Sequence, residues 1–219
     1  MARRTVSLIV AMAALVVLSP LLAVISAAIV VGMGRPVLFR QRRSGLEGRE
    51  FWICKFRTMR PPRYPGETDR ERTTRLGTLL RTYSLDELPQ LWNVLRGEMD
   101  IIGPRPTLPE QVARYGAHER RRLRVRPGLT GYAATKGRNS LSWPERIDLD
   151  IWYIEHRNIW LDLRVIGWTI LGLLRPRGIT GEGGVNPDFP APEPAPSESA
   201  RRQRFYGQDS SRMREESWP

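Results

Sequence analysis

The chain is organised around the stretch Val6-Ser-Leu-Ile-Val-Ala-Met-Ala-Ala-Leu-Val-Val-Leu-Ser-Pro-Leu-Leu-Ala-Val-Ile-Ser-Ala-Ala-Ile-Val-Val31, which is apolar apart from scattered serines and one proline. As a helix, this stretch is long enough to cross the ~30 Å hydrocarbon core of a bilayer. A cleaved signal peptide is the first alternative, with Arg3-Arg4 as its basic start and Ala27-Ala28 as its cleavage site. It is disfavoured because the apolar region of a signal peptide is only about 7–15 residues long, and the stretch from Val6 to Val31 is longer. The sequence therefore predicts a membrane helix.

A proline interrupts this helix near its midpoint. Pro20 has no backbone N–H and kinks a helix, and the hydroxyl of Ser19 is placed to bond the carbonyl that Pro20 frees. Both flanks are basic, and the positive-inside rule assigns both to the cytoplasm. The basic residues are Arg3, Arg4, Arg35, Arg40, Arg42 and Arg43. These features favour a re-entrant helix that bends at Ser19-Pro20 and leaves on the side it entered. A kinked helix that spans the bilayer remains the alternative.

The charge of the chain indicates an anionic partner. The net charge is +12, and the basic residues are arginines except for Lys55 and Lys136. Nucleic acid, anionic lipid and phosphate-bearing substrates all suit such a protein, and the guanidinium fork matches phosphate oxygens. A single cysteine, Cys54, excludes an internal disulfide and a cysteine-based zinc site. His118 and His156 lie among charges with no matching catalytic or metal-ligand partner in the sequence, so both are predicted to be surface residues, which argues against a Ser-His-Asp or histidine–metal enzyme.

The rest of the chain is predicted to be a helix-dominated α/β domain with a small β-hairpin. Apolar runs and turn residues indicate the strands, and capping and glycine signals indicate the helices. The predicted elements are strands over 37–42 and 50–56 around a turn at 44–48, and helices over 74–81, 86–96, 108–124 and 143–174, the last interrupted near Asn158.

The second half of the last helical stretch, 159–174, is largely apolar but contains Asp162 and Arg164. It is too short and too charged to span a membrane. Trp160 and Trp168 would lie at headgroup level if this helix lay in the interface. Packing against the first helix explains its composition equally well, so both interpretations stay open.

Two adjacent carboxylates, Asp86 and Glu87, stand at a predicted helix start. Two structural interpretations are open: Asp86 caps the helix, or Ser84 caps it and Glu87 completes a capping box. A functional interpretation of the two carboxylates is also open, and it too depends on their position at a helix N-terminus. A helix N-terminus binds phosphate, carboxylates there would hold Mg2+ against phosphate oxygens, and an Asp carboxylate can attack a phosphorus centre.

Basic residues elsewhere in the chain supply what a phosphate site needs. The candidates are Lys55, Arg57, Arg81, Arg105 and Arg126. Lys55 and Arg57 alternate at a strand end and therefore share a face. Arg105 is held between two prolines, which limits its backbone freedom. Each alone would be a solvated or ion-paired residue, and their co-occurrence is what indicates a site. The run Arg120-Arg121-Arg122 is predicted to be a solvated or lipid-facing helix surface.

Four motifs in this order resemble those of the bacterial sugar transferase family, the monotopic phosphoglycosyl transferases that begin glycan assembly on a polyprenol phosphate. The resemblance covers most of the chain, from Val6 to Leu174. The motifs are Lys55-Phe-Arg-Thr-Met59, Ser84-Leu-Asp-Glu-Leu-Pro-Gln-Leu-Trp-Asn93, Gly103-Pro-Arg-Pro106 and Arg126-Pro-Gly-Leu-Thr-Gly131. The break at Ser19-Pro20 is similar to the re-entrant membrane helix of this family.

The resemblance implies an activity. Such enzymes move a sugar-1-phosphate from a UDP-sugar to undecaprenyl phosphate, release UMP, and start an exopolysaccharide, capsule, O-antigen or glycoprotein glycan. Asp86 would be the nucleophile that forms a covalent phospho-sugar intermediate, and Glu87 would assist through Mg2+ and local electrostatics. The five basic candidates would hold phosphates or the nucleotide.

The resemblance also implies an organisation. Residues 1–34 would form the re-entrant membrane helix, residues 35–175 a cytoplasmic catalytic domain with interfacial helices, and residues 176–219, rich in Pro, Ser, Gly and charge, a disordered tail. The enzyme would be a small catalytic form on the cytoplasmic face of the inner membrane, contacting membrane lipids and no nucleic acid. Self-association is left open.

Two departures from the family pattern stand out. The segment Arg3-Arg4-Thr5-Val6 lacks the acidic residue that many members have before the apolar helix, and Asp100 stands where a serine is common. The remaining alternatives to the transferase are a membrane-anchored, arginine-rich protein that binds nucleic acid or anionic lipid, and a non-catalytic scaffold in a glycan assembly complex.

Overall fold

The computed structural model of the chain describes residues 2–137 and 141–174. Helices dominate this part, as predicted, and they are accompanied by two small sheets. The tail predicted over 176–219 lies outside the described residues. The α-helices are α1 (Ala2–Met33), α2 (Asp69–Arg72), α3 (Arg75–Thr82), α4 (Leu91–Leu95), α5 (Pro109–Val112), α6 (Tyr132–Lys136), α7 (Trp143–His156) and α8 (Ile159–Leu174). The strands are β1 (Leu38–Ser44), β2 (Glu50–Phe56), β3 (Asp100–Ile102) and β4 (Gly128–Thr130), and 3₁₀ helices cover Leu46–Gly48, Leu85–Gln90 and Glu119–Arg124.

Helix α1 continues through Pro20. Pro20 cannot donate to the carbonyl of Val16, and the hydroxyl of Ser19 donates to that carbonyl instead, at 2.8 Å. The predicted role of Ser19 is therefore present in the structure. Within the described residues, α1 is the helix that is long and apolar enough to cross a membrane, judged by length and composition.

Each half of α1 packs on the rest of the protein through its own apolar cluster. Ala11, in the first half, lies in a cluster with residues of β2 and α4, and Ile25 and Ile29, in the second half, pack with Phe56 and Leu80. Between these contacts, residues 16–21 around the proline are mostly exposed. The rest of the protein thus covers one side of α1 near both of its ends, and the middle of the helix remains exposed.

Polar contacts fix both ends of α1 to the same body. The guanidinium of Arg4 donates to the carbonyls of Val94 and Met99, at 2.6 and 2.8 Å, and pairs with Asp100 at 3.0 Å. At the other end, the guanidinium of Arg57 donates to the carbonyls that close α1. The unusual Asp100 is therefore the partner of Arg4.

The predicted hairpin is confirmed, with β1 beginning one residue later and ending two residues later than expected. The strands pair antiparallel from Leu38 opposite Phe56 to Ser44 opposite Glu50. Because side chains alternate along a strand, Ile53 and Lys55 lie on the same face. Ile53 is buried in the core, so Lys55 points to the same side, toward the 3₁₀ helix Leu85–Gln90.

A second, parallel pair of strands, β3 and β4, was not predicted. Asp100 pairs with Gly128 and Ile102 with Thr130. Gly128 allows this approach, because a Cβ at this position would lie 2.1 Å from the backbone nitrogen of Gly103. The pairing brings the Gly-Pro-Arg-Pro motif beside the Pro-Gly-Leu-Thr-Gly motif.

Replacing Gly128 with alanine should therefore lower the free energy of unfolding by more than about 2 kcal/mol, because a methyl group meets main-chain atoms that cannot move independently. The matched control is Gly167→Ala in α8, where an added Cβ meets nothing within 4 Å. That change should stabilise the helix by about 0.5–1 kcal/mol. Thermal unfolding of both variants in detergent gives the comparison, and equal melting temperatures would count against the close strand contact.

The basic helix predicted over 108–124 is wrong. The structure has α5, then a break around Gly116, then the 3₁₀ helix Glu119–Arg124. The prediction for the arginine run is wrong for Arg122, which is buried at 3% exposure because its guanidinium pairs with Asp150 inside the protein. The predicted interruption near Asn158 is confirmed: its side-chain oxygen accepts from the backbone N–H of Leu161 at 2.9 Å, at the start of α8.

Candidate active site

The acidic pair lies inside the 3₁₀ helix Leu85–Gln90. Ser84 precedes the helix in the left-handed region, with φ 55°, and its side chain makes no capping bond. Both capping interpretations are therefore wrong, because Asp86 lies within the helix and Ser84 and Glu87 form no capping box. Both carboxylates are left to interact with other parts of the protein.

Glu87 joins two of the predicted cations. Its Oε1 accepts from Nζ of Lys55 at 2.6 Å and from a terminal guanidinium nitrogen of Arg105 at 2.8 Å. Burial opposes ionisation of Glu87, but the charges of Arg105 and Lys55 outweigh it and hold the pKa of this carboxyl well below its usual range. Glu87 is therefore ionised throughout the physiological range.

Asp86 differs from its neighbour in its environment. It is buried, at 9% exposure, and within the described residues its carboxylate forms no hydrogen bond or ion pair. Burial and the negative charge of Glu87 raise the pKa of Asp86 to about 6, against the opposing charges of Lys55, Arg81 and Arg105. Asp86 is an uncommitted, poorly solvated carboxylate near three positive charges, and an Asp carboxylate of this kind can act as a nucleophile toward a phosphorus centre.

Arg81 stands at the end of α3 and faces this group. Its Nε donates to the hydroxyl of Thr58 at 2.9 Å, and a terminal nitrogen donates to the hydroxyl of Thr73 at 3.5 Å. These partners are neutral, so they orient the guanidinium without cancelling its charge. Arg81 can therefore act on a phosphate near Asp86.

The structure does not bring the other two predicted cations into this cluster. Arg57 donates to main-chain carbonyls at the end of α1, and Nε of Arg126 donates to the carbonyl of Gly97 at 2.9 Å. Both make their contacts with backbone, at the margins of the site. The predicted role of Arg57 and Arg126 in binding phosphate stays a prediction. The residues of the predicted membrane kink, Ser19 and Pro20, lie in the middle of α1.

Arg43 and Gln90 also belong to this cluster, although the sequence alone did not identify them as site residues. Both line a small pocket with Lys55, Glu87 and Arg105. Burial and then the charge of Arg105 lower the pKa of Arg43 to about 10. The spacing of Gln90, three residues after Glu87, was a usable signal, because residues three apart share a face of a 3₁₀ helix. Arg43 becomes visible only once the hairpin register is known.

A buried network supports the main chain at Arg105. The guanidinium of Arg122 donates to the carbonyl of Arg105 at 3.2 Å and to the hydroxyl of Tyr115 at 2.7 Å, and it pairs with Asp150 at 2.6 Å. The hydroxyl of Tyr115 in turn donates to Thr107 at 3.2 Å. The Gly-Pro-Arg-Pro turn is thus held in place by a buried charged pair whose members lie on the 3₁₀ helix Glu119–Arg124 and on α7.

The donor set suits Mg2+ only if a substrate completes it. Within residues 2–137 and 141–174, no three His, Cys, Asp or Glu side chains come together as a metal site. Mg2+ is commonly held by one or two carboxylates together with substrate phosphates and waters. Asp86 and the Oε2 of Glu87, which Lys55 and Arg105 do not use, provide such a partial set.

Comparison with known proteins places this geometry in context. The bacterial sugar transferase family model matches residues 1–176. The chain is 42% identical over 150 residues to the uncharacterized sugar transferase EpsL of Bacillus subtilis, covering 67% of this chain and 74% of EpsL. It is 34% identical over 196 residues to the exopolysaccharide production protein ExoY of Sinorhizobium fredii, covering 80% of this chain and 87% of ExoY.

A third relative has a name that states a reaction. The chain is 41% identical over 180 residues to the UDP-glucose:undecaprenyl-phosphate glucose-1-phosphate transferase of Xanthomonas campestris pv. campestris. The match covers 76% of this chain but only 37% of that larger protein.

Proposed function

Because the chain belongs to the bacterial sugar transferase family, we propose that it transfers a sugar-1-phosphate from a UDP-sugar to undecaprenyl phosphate and releases UMP. The name of the Xanthomonas relative supports this donor and acceptor class. The observation that carries the proposal is the buried, uncommitted carboxylate of Asp86 beside Lys55, Arg81 and Arg105. The product would begin the assembly of an exopolysaccharide or a related glycan.

The reaction proceeds in two displacements at one phosphorus. A carboxylate oxygen of Asp86 attacks the β-phosphorus of the UDP-sugar, and the bond from that phosphorus to the bridging oxygen breaks. UMP leaves with the bridging oxygen and its electron pair, and the sugar phosphate stays on Asp86 as an acyl phosphate. A phosphate oxygen of undecaprenyl phosphate then attacks the same phosphorus, and the bond to Asp86 breaks, which restores the carboxylate.

Electrostatics supply most of the catalytic effect in this mechanism. The transferring phosphoryl group carries negative charge throughout, so positioned cations stabilise its transition state. Arg81 keeps an uncancelled charge near Asp86. Lys55 and Arg105 hold Glu87 ionised and in place. Asp86 and Glu87 would hold Mg2+ together with the diphosphate, and the ion would neutralise charge on the transferring group.

We propose that α1 enters and leaves the membrane on the same side, with the catalytic domain on the cytoplasmic face of the inner membrane. The contacts at both ends of α1 support this arrangement: Arg4 fixes the first end and Arg57 the last end to the same body, whereas a helix that crosses the bilayer would place its two ends on opposite sides. The exposed middle of α1 is apolar, with Val16 and Val17 at 66% and 74% exposure. The exposed face of α8, which includes Trp160 at 71%, would lie in the interface.

Cysteine labelling tests this topology. In a Cys54→Ala background, Thr5→Cys and Arg40→Cys place single thiols on the two sides of the apolar stretch. We expect a membrane-impermeant maleimide to label both in inside-out vesicles and neither in intact spheroplasts, because both flanks face the cytoplasm. Labelling of one position from each side would show a spanning helix instead.

UMP release tests the activity. The full chain in nanodiscs is mixed with undecaprenyl phosphate, Mg2+ and a panel of UDP-sugars, and UMP is measured. We expect UMP with at least one donor, dependent on the lipid phosphate. Folded protein that releases no UMP with any donor would favour the anion-binding or scaffold alternatives. Mixing without the lipid controls for simple hydrolysis of the donor.

A further inference from the structure

The pocket between the hairpin and the Gly-Pro-Arg-Pro turn contains hydrogen-bond donors that the protein does not use. Gln90 is 3% exposed, and its Nε2 is buried without a hydrogen-bond partner in the described residues. Nε of Arg43 is buried without a partner in the same way. Both residues line this pocket. An unsatisfied buried donor costs about 1–3 kcal/mol, so two in one pocket indicate a missing acceptor.

The chemistry of the pocket identifies the class of that acceptor. Three of its side chains, Arg43, Lys55 and Arg105, are cationic. Its carboxylate, Glu87, is already engaged by Lys55 and Arg105. A neutral ligand would leave an excess of positive charge in a poorly solvated place. An anion with several acceptor oxygens, which means a phosphate group, satisfies both the charges and the unused N–H groups.

The pocket lies close to the acidic pair Asp86 and Glu87, on the side of Gln90. In a 3₁₀ helix, residues three apart lie one above the other, about 2 Å of rise per residue. Gln90 therefore stands on the face of Glu87, about one turn beyond the acidic pair. A phosphate held by Gln90 would be next to, and not at, the phosphorus that Asp86 attacks.

We propose that Arg43 and Gln90 form a second phosphate subsite, which binds the phosphate adjacent to the one that reacts. This inference rests on the proposed transferase function for the identity of the ligand. The phosphate is either the nucleotide-side phosphate of the UDP-sugar or the phosphate of the polyprenol acceptor, and both present the same oxygens to the pocket. Nε2 of Gln90 and Nε of Arg43 donate to those oxygens.

A structural role for Gln90 predicts a different outcome from a binding role. A structural glutamine loses stabilising bonds when it is replaced, whereas the Nε2 of Gln90 has none to lose. Gln90→Leu keeps the approximate volume and removes an unsatisfied donor, so its melting temperature should be equal to or above that of the wild type. The melting temperature therefore separates the two roles.

Titration of the full chain in nanodiscs tests the subsite directly. The probes are inorganic pyrophosphate, UMP and a short-chain polyprenol phosphate, and the variants are Gln90→Leu, Gln90→Glu and Arg43→Met. A hydrogen bond to a charged group contributes about 1.5–3 kcal/mol, so Gln90→Leu and Arg43→Met should weaken binding about 10- to 150-fold. Gln90→Glu should weaken it further by repulsion. The control is Arg40→Met, which removes an exposed charge from the same strand and should change binding less than about threefold.

Each pattern of results has one meaning. Weaker pyrophosphate and UMP binding assigns the subsite to the donor, and weaker binding of the polyprenol phosphate alone assigns it to the acceptor; both support the subsite. Unchanged affinity for all three probes, or a melting temperature that falls together with affinity, overturns it. The titrations need no turnover, so a wild type that releases no UMP would refute the function and leave the subsite standing. Active enzyme with unaltered binding in the variants would refute the subsite alone.

Discussion

Replacing Asp86 with asparagine should abolish UMP release and stabilise the protein. The amide cannot attack phosphorus, and removal of a nucleophile costs at least about 10³-fold in turnover. Burial and Glu87 raise the pKa of Asp86 from 3.8 to about 6, so the ionised carboxylate is destabilised in the folded state at neutral pH. A neutral side chain of the same shape removes that cost, which is about 3 kcal/mol as an upper limit.

The pH dependence follows from the direction of this shift. Between about pH 4 and pH 6 the folded protein holds a proton on Asp86 that the unfolded chain has lost, so the wild type loses stability from this group as the pH rises. Asp86→Asn should therefore match the wild type near pH 4 and exceed it increasingly up to about pH 7. Melting temperatures across this range measure the difference.

The matched control for this prediction is Asp148→Asn. Asp148 is an exposed carboxylate that pairs with His118 at the surface, and its replacement should leave turnover intact and change the melting temperature little. An Asp86→Asn variant that still releases UMP, or that melts below the wild type at pH 7, would contradict the assignment of Asp86 as a destabilised nucleophile.

Breaking the buried pair between Arg122 and Asp150 should produce the largest loss of stability. Both side chains are almost completely buried, and removal of either leaves the other charge uncompensated. Such changes typically cost about 3–5 kcal/mol. We expect this loss from Arg122→Met and from Asp150→Leu singly, and recovery of most of it in the double variant, because no buried charge then remains.

Turnover should not recover with stability in the double variant. Arg122 donates to the carbonyl of Arg105, so without it the Gly-Pro-Arg-Pro turn loses a support even when the core is repaired. Chemical denaturation and UMP release, measured on the same four proteins, complete the cycle. Arg121→Met is the control, since the pair of Arg121 with Glu155 is at the surface and contributes about 1 kcal/mol or less. Singles no less stable than this control would contradict the prediction.

Local patterns predicted the parts of the fold that local physics determines. The hairpin follows from runs of apolar residues around a turn, and the break at Asn158 follows from a residue that caps helices. The pairing of β3 with β4 could not be found in this way, because strands of three residues are too short to show a period. The backbone of Ser84 was equally hidden, since a left-handed serine is uncommon and depends on the surrounding contacts.

The candidate site likewise contains residues that the sequence predicted correctly and residues whose contacts only the fold reveals. Lys55, Glu87 and Arg105 were predicted from their chemistry, and the structure brings them together. Arg57 has the same chemistry, but its contacts are backbone carbonyls at the end of a helix. No sequence pattern distinguishes an arginine that binds phosphate from one that donates to main-chain carbonyls. The carbonyls come within reach of the guanidinium only when the chain folds.

The contacts of strand β2 carry a mechanical consequence. Lys55, at the end of β2, holds Glu87, and Arg57, the first residue after the strand, holds the end of α1. A displacement of the C-terminal end of α1 would therefore move Arg57 and, two residues away along the backbone, the lysine that holds Glu87. The position of α1 and the alignment of the acidic pair are thus coupled through a single short segment of backbone.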